Sequence, residues 1–93
     1  MRRDITRDAS LTVTRAQVSV GLWQAARTAS RASAARLERS RKAYALGETD
    51  LAELLLAERL DGETALAERR ARVDAHEALL LVRIDGHDLW HGE

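Results

Sequence analysis

Tyr44-Ala45-Leu46-Gly47-Glu48-Thr49-Asp50-Leu51-Ala52-Glu53-Leu54-Leu55-Leu56-Ala57-Glu58 is the stretch that decides how this chain folds. It lies near the middle of 93 residues and separates two long helical patterns. Gly47 suits the left-handed conformation that closes a helix. Asp50 is placed to cap the next helix, with Glu53 three residues on. A stop and a start so close together leave room for one tight reversal, so the two helices must return antiparallel as an αα-hairpin. The expected fold is therefore all-α: a long antiparallel two-helix coiled-coil hairpin over residues 12–84, turning at about 47–50. A loose lead-in is expected over residues 1–11 and a polar tail over residues 85–93.

Upstream of the turn, Val18, Leu22, Ala25, Ala26, Ala29, Ala32, Ser33, Leu37, Ser40 and Tyr44 recur at three-and-four spacing and mark one face of a first helix. The middle of that face is Ala and Ser, small enough for close approach of two backbones. Residues 10–14 alternate briefly like a strand end, but Thr14-Arg15-Ala16-Gln17 fits a capping box, and helix is favoured from about residue 12. Downstream, a second helix is expected over residues 51–84, with Gly86 as its stop. It carries two apolar stripes. One is Leu55, Gly62, Leu66, Val73 and Leu80; the other is Leu56, Leu60, Ala67, Ala71, Ala75, Ala78 and Val82. Two stripes imply two partners, of which one is the first helix. The second stripe is expected to stay exposed in a monomer and to drive self-association into a helical bundle.

The formal net charge is zero, from fifteen basic and fifteen acidic residues. Its distribution is uneven: residues 1–46 hold ten Arg or Lys against three Asp or Glu, a net of +7, and residues 47–93 hold five against twelve, a net of −7. A basic half can serve a nucleic-acid surface. Here the basic residues are interleaved with Ala and Ser instead of stacking aromatics, and an acidic half lies beside them. The charge-complementary helix pair is the expected reading, with no nucleic-acid partner. The absence of cysteine excludes disulfides, thiolate metal sites and cysteine nucleophiles. No apolar run approaches the roughly 18 residues of a membrane helix, so this segment is not expected to insert into a bilayer directly. The basic, polar start resembles no signal peptide.

No enzymatic motif is present: no phosphate-binding glycine loop, no His-Glu-x-x-His and no serine elbow. The pairs Asp50/Glu53 and Glu58/Asp61 are read as ordinary solvated carboxylates. His87 and His91 would share a face in a helical tail, yet Gly86 and the lack of a fixed third ligand argue against a metal site there. His76, near Val73 and Leu80, reads as a half-buried interface residue. No catalytic residue, metal or cofactor is expected.

Residues 36–48 and 51–59, Arg36-Leu37-Glu38-Arg39-Ser40-Arg41-Lys42-Ala43-Tyr44-Ala45-Leu46-Gly47-Glu48 and Leu51-Ala52-Glu53-Leu54-Leu55-Leu56-Ala57-Glu58-Arg59, resemble the hairpin tip of TolC-like outer-membrane efflux proteins, in the style of the cobalt-zinc-cadmium branch. The resemblance extends broadly over residues 15–84 and is specific only in 44–59. It implies a C-terminal piece of a trimeric channel whose periplasmic helical hairpins form a tunnel. The localisation it implies is the periplasmic portion of an outer-membrane protein. The implied partners are a periplasmic adaptor and an inner-membrane pump, besides other copies of the chain. Tyr44, Gly47, Glu48, Thr49 and Asp50 would form the tip and contact the adaptor. Glu53 would align with the first of two acidic residues that narrow the pore in some members. The second falls on Leu56, and Thr49 stands where some members carry a basic residue, so neither a double acidic ring nor a tip salt bridge is expected. The competing reading is a free-standing helical-hairpin interaction module unrelated to efflux.

Overall fold

No proline interrupts the chain, and both halves are rich in Ala, Arg, Glu and Leu, residues that enter helices at little cost. The computed structural model follows that composition. It describes the backbone of residues 2–91 and the side chains of residues 10–84. Two helices, α1 (Arg2–Ala45) and α2 (Leu51–His91), form an all-α helical hairpin.

Both helices are longer than their sequence signals predict. α1 begins at Arg2, so the expected loose lead-in over residues 1–11 is helical from residue 2 onward. Thr14 caps nothing: its hydroxyl donates to the Ser10 carbonyl at 2.9 Å, a bond made inside a continuing helix. With no Gly or Pro between residues 2 and 14, nothing local stops the helix from running on. At the other end α2 passes through Gly86 to His91, so Gly86 is not its stop. A helical glycine costs only about 1 kcal/mol relative to alanine, too little to end a helix that its neighbours extend. The side chains of Trp90, His87 and His91 lie outside the described residues, and so does the expectation that the two histidines hold no metal.

The chain divides into two compact units, one joining Met1–Trp23 to Ala71–Glu93 and the other formed by Gln24–Arg70. In the first, the least exposed of the described residues are Thr12, Ala16, Ser19, Val20 and Trp23 on α1, and Ala71, Ala75, Ala78 and Val82 on α2. In the second they include Ala26, Ser30, Ser33, Leu37 and Ser40 on α1, and Leu54, Ala57, Asp61, Thr64 and Glu68 on α2. Within each unit the seam steps by alternating threes and fours, the 3.5-residue repeat of helices packed along one another. Of the four buried hydrophobic residues described, Ala16, Ala57 and Ala75 are alanines and only Leu37 is large. Small seam residues bring helix axes to the close end of the about 8–10 Å range. In the seam the Thr64 hydroxyl is satisfied locally, donating to the Asp61 carbonyl at 3.1 Å. No buried side-chain nitrogen or oxygen among the described residues lacks a partner.

This seam corrects the division of stripes read from the sequence. Leu60, Ala71, Ala75, Ala78 and Val82, expected to face outward for self-association, are buried or half-buried within the chain. Ala75 is 0% exposed. Only Leu56 and Ala67 of that stripe are exposed. The stripe expected to meet α1 is the outer one: Leu55, Leu66, Val73 and Leu80 are all about half exposed, and Gly62 is exposed with them. The reason is size. A close-packed seam accommodates methyl groups, and the larger Leu and Val side chains are left on the flanks. The face read on α1 is likewise only part of the contact: Ala26, Ser33, Leu37 and Ser40 belong to it, whereas Val18, Leu22, Ala25, Ala29, Ala32 and Tyr44 are exposed. Gly62 marks no close backbone crossing, since a Cβ built there would meet nothing within 4 Å.

Candidate functional site at the hairpin turn

The turn belongs to the unit Gln24–Arg70. Its geometry follows residue by residue from the sequence. The Gly47 amide donates to the Tyr44 carbonyl at 3.0 Å and the Glu48 amide to the Ala43 carbonyl at 2.8 Å. These are the paired bonds of a Schellman closure, with Gly47 in its left-handed position at φ 74°. The expected stop at Gly47 is thus found, and it consumes carbonyls that the end of α1 would otherwise leave without donors.

α2 then starts as Asp50 predicts. The Glu53 amide donates to Asp50 Oδ1 at 2.9 Å, and the Leu54 amide donates to the Asp50 carbonyl at 3.3 Å. The box is modified, because the Glu53 carboxylate accepts from the Thr49 hydroxyl, one residue before the cap. Two side-chain bonds therefore pin residues 49–53, one through each carboxylate. Glu48 and Asp50 stay exposed while Thr49 is half-buried.

Around this framework the tip presents apolar and charged groups together. Tyr44, Leu46 and Leu51 are exposed, Leu46 most of all at 72%. Beside them, Arg36, Arg39 and Ser40 of α1 line an open groove of about 450 Å³ with Glu48, Thr49 and Glu53. Two guanidinium side chains and two carboxylates thus border one depression. Sequence reading picked out the acidic members and missed the two arginines. Their signal was available: Arg36 and Arg39 sit at i and i+3, the spacing that puts two side chains on one helix face. The arrangement suits docking of a polar, charged segment of another protein.

Of the remaining site residues, Glu53 is exposed on the first turn of α2, and Leu56, one turn later, is an apolar surface side chain 51% exposed. His76 is exposed and not half-buried, and its ring leans on Trp23 at 5.8 Å between centroids, tilted by 51°. Among the described residues no group of three or more His, Cys, Asp or Glu could hold a metal ion, and no helix is long and apolar enough to cross a membrane. No family model, curated protein or solved structure was found to match this chain.

Proposed function

We propose that this hairpin is a wall segment of a TolC-like outer-membrane efflux conduit of a tripartite export system, with a non-catalytic, packing role. The observation that carries the reading is the placement of the large apolar side chains. Val18, Leu22, Leu55, Leu66, Val73 and Leu80 all stand outside the seam and remain about half exposed. A helical pair whose buried positions are mostly alanine and which leaves these six large side chains on its flanks is built for further helices on either side, as a wall of hairpins requires. The turn supports the same reading, since Gly47, Asp50 and Glu53 make a hydrogen-bonded tip from the residues on which the efflux resemblance rests. In that role Tyr44, Gly47, Glu48, Thr49 and Asp50 meet the periplasmic adaptor, and Glu53 lies toward the pore. Export of heavy-metal ions is the narrower form of the proposal and rests on the residue pattern of 44–59.

The test uses the native gene product in its own cells. Thr49→Cys adds the only cysteine to the described sequence, and a thiol-to-amine cross-linker then reports what touches the tip. Efflux predicts recovery with the outer membrane and an adduct with a periplasmic adaptor protein. Recovery in the soluble fraction with no such adduct would overturn it. The second reading, a free-standing hairpin interaction module, would then stand, favoured by the groove in which Arg36 and Arg39 face Glu48 and Glu53.

A further inference from the structure

The unit formed by Met1–Trp23 and Ala71–Glu93 carries an apolar groove of about 410 Å³ on one side of its helix pair. Leu11, Arg15 and Val18 line it from α1, and Asp74, Glu77 and Leu81 from α2. Its large apolar members are far from buried: Leu11 is 50% exposed, Val18 56% and Leu81 54%. These three stand outside the small-residue seam, whose Ala78 forms part of the groove floor. The charges across the groove are segregated, basic on the α1 wall and acidic on the α2 wall. That segregation repeats the +7 and −7 balance of the two halves of the chain.

We propose that this groove is the interface of a two-fold homodimer, and that its occupant is the same groove of a second copy. A two-fold axis running along the helix pair lays α1 of one copy on α2 of the other. Every neighbouring pair of helices is then antiparallel, as in an up-down-up-down four-helix bundle. The interface is isologous, with one patch meeting itself. Leu11, Val18 and Leu81 of each copy leave water. Arg15 of each copy comes to the acidic wall of the other, beside its Asp74 and Glu77, so both charge contacts occur twice. Laying α1 on α1 instead would set Arg15 against Arg15 and carboxylates against carboxylates. Like charges in juxtaposition across an interface suppress the wrong partner. Charge complementarity therefore selects both a second copy as the occupant and the pairing of unlike helices. The dimer does not rest on an efflux role: a wall of hairpins would cover the same Val18 flank with a different neighbour, so the two are alternatives, and failure of the cross-linking test above leaves the dimer untouched.

Charge-swapped variants of the intact chain test the proposal by sedimentation equilibrium, with helicity followed by circular dichroism. The unaltered chain should dimerise in the micromolar range. Arg15→Glu alone should raise the dissociation constant at least tenfold, and the double change Asp74→Arg with Glu77→Arg should do the same. An equimolar mixture of the two variants should recover the unaltered affinity, because each new charge meets its opposite on the other copy. Val18→Glu should leave the chain monomeric, whereas Leu80→Glu, outside the groove lining, should leave the dimer intact. A helical chain that stays monomeric at high micromolar concentration would overturn the proposal. So would a dimer indifferent to Val18→Glu, or a mixture that associates no better than either charge variant alone. Loss of helicity in Val18→Glu would move the decision to the charge-swap mixture, whose recovery no folding defect can imitate.

Discussion

Three of the five glycines, Gly21, Gly47 and Gly62, respond to the same substitution with opposite signs. Gly47 sits at φ 74°, in the left-handed region, while Gly21 and Gly62 lie inside α1 and α2. A Cβ added at any of the three would meet nothing within 4 Å. Steric contact with neighbours therefore drops out, and only the backbone preference of the new residue remains. At Gly62 the native backbone is already helical, so Gly62→Ala should stabilise the chain by about 0.8–1 kcal/mol through helix propensity. Gly21→Ala should gain a similar amount. At Gly47 an alanine must hold the left-handed conformation, which costs an L-residue about 1–2 kcal/mol. Gly47→Val should cost more than Gly47→Ala because its branched Cβ crowds the adjacent carbonyl, and Gly47→Asn should cost least. Urea unfolding followed by circular dichroism at one fixed protein concentration reads all of these as shifts of the midpoint with an unchanged slope. The reasoning fails if Gly47→Ala matches or exceeds the parent in stability, or if Gly62→Ala lowers it. The latter would mean that some helix approaches α2 closely enough at Gly62 to exclude a methyl group.

Three further outcomes follow from the seam and the caps. Ala75→Leu forces a large side chain into a position that is 0% exposed and should cost about 1–3 kcal/mol by overpacking, measured by the same urea midpoint. Asp50→Ala removes the acceptor of the Glu53 amide and should cost about 1 kcal/mol, with most of the lost protection from hydrogen exchange confined to the first turn of α2. The Arg59–Glu63 pair is a 3.2 Å contact between largely exposed side chains one turn apart, so a double-mutant cycle to Ala should return a coupling of at most about 0.5 kcal/mol.

The turn was legible in the sequence because its signals are local. A glycine at the C′ position and a capping aspartate each act within one turn of helix and are found where their spacing puts them, while the Glu53 carboxylate takes the Thr49 hydroxyl in place of the expected Asp50 amide. The helix ends at residues 2 and 91 were not legible for the complementary reason. Residues 2–11 contain neither a breaker nor apolar periodicity, and absence of periodicity was read as absence of helix. The stripes were misassigned because hydrophobicity alone ranks Leu above Ala as a contact residue. In a close-packed pair, geometry reverses that rank: Ala71, Ala75 and Ala78 fit between the helices while Leu66, Val73 and Leu80 do not. The 3.5-residue step of the small residues was the available signal. Arg36 and Arg39 were missed at the tip because their part in the groove depends on a fold that brings them to Glu48 and Glu53.

The claim on which the rest depends is that the Ala71-Ala75-Ala78 row of α2 lies in the seam and the Leu55-Leu66-Val73-Leu80 row flanks it. Because the chain has no cysteine, a single one can be placed at either kind of position and its rate of modification by a soluble maleimide measured in the folded state. Ala75→Cys should be protected, reacting orders of magnitude more slowly than in denaturant, because position 75 is 0% exposed. Leu80→Cys, at a position 55% exposed, should react nearly as fast as in denaturant. The reverse order, with position 80 protected and position 75 open, would place the leucine stripe between the helices and contradict the account.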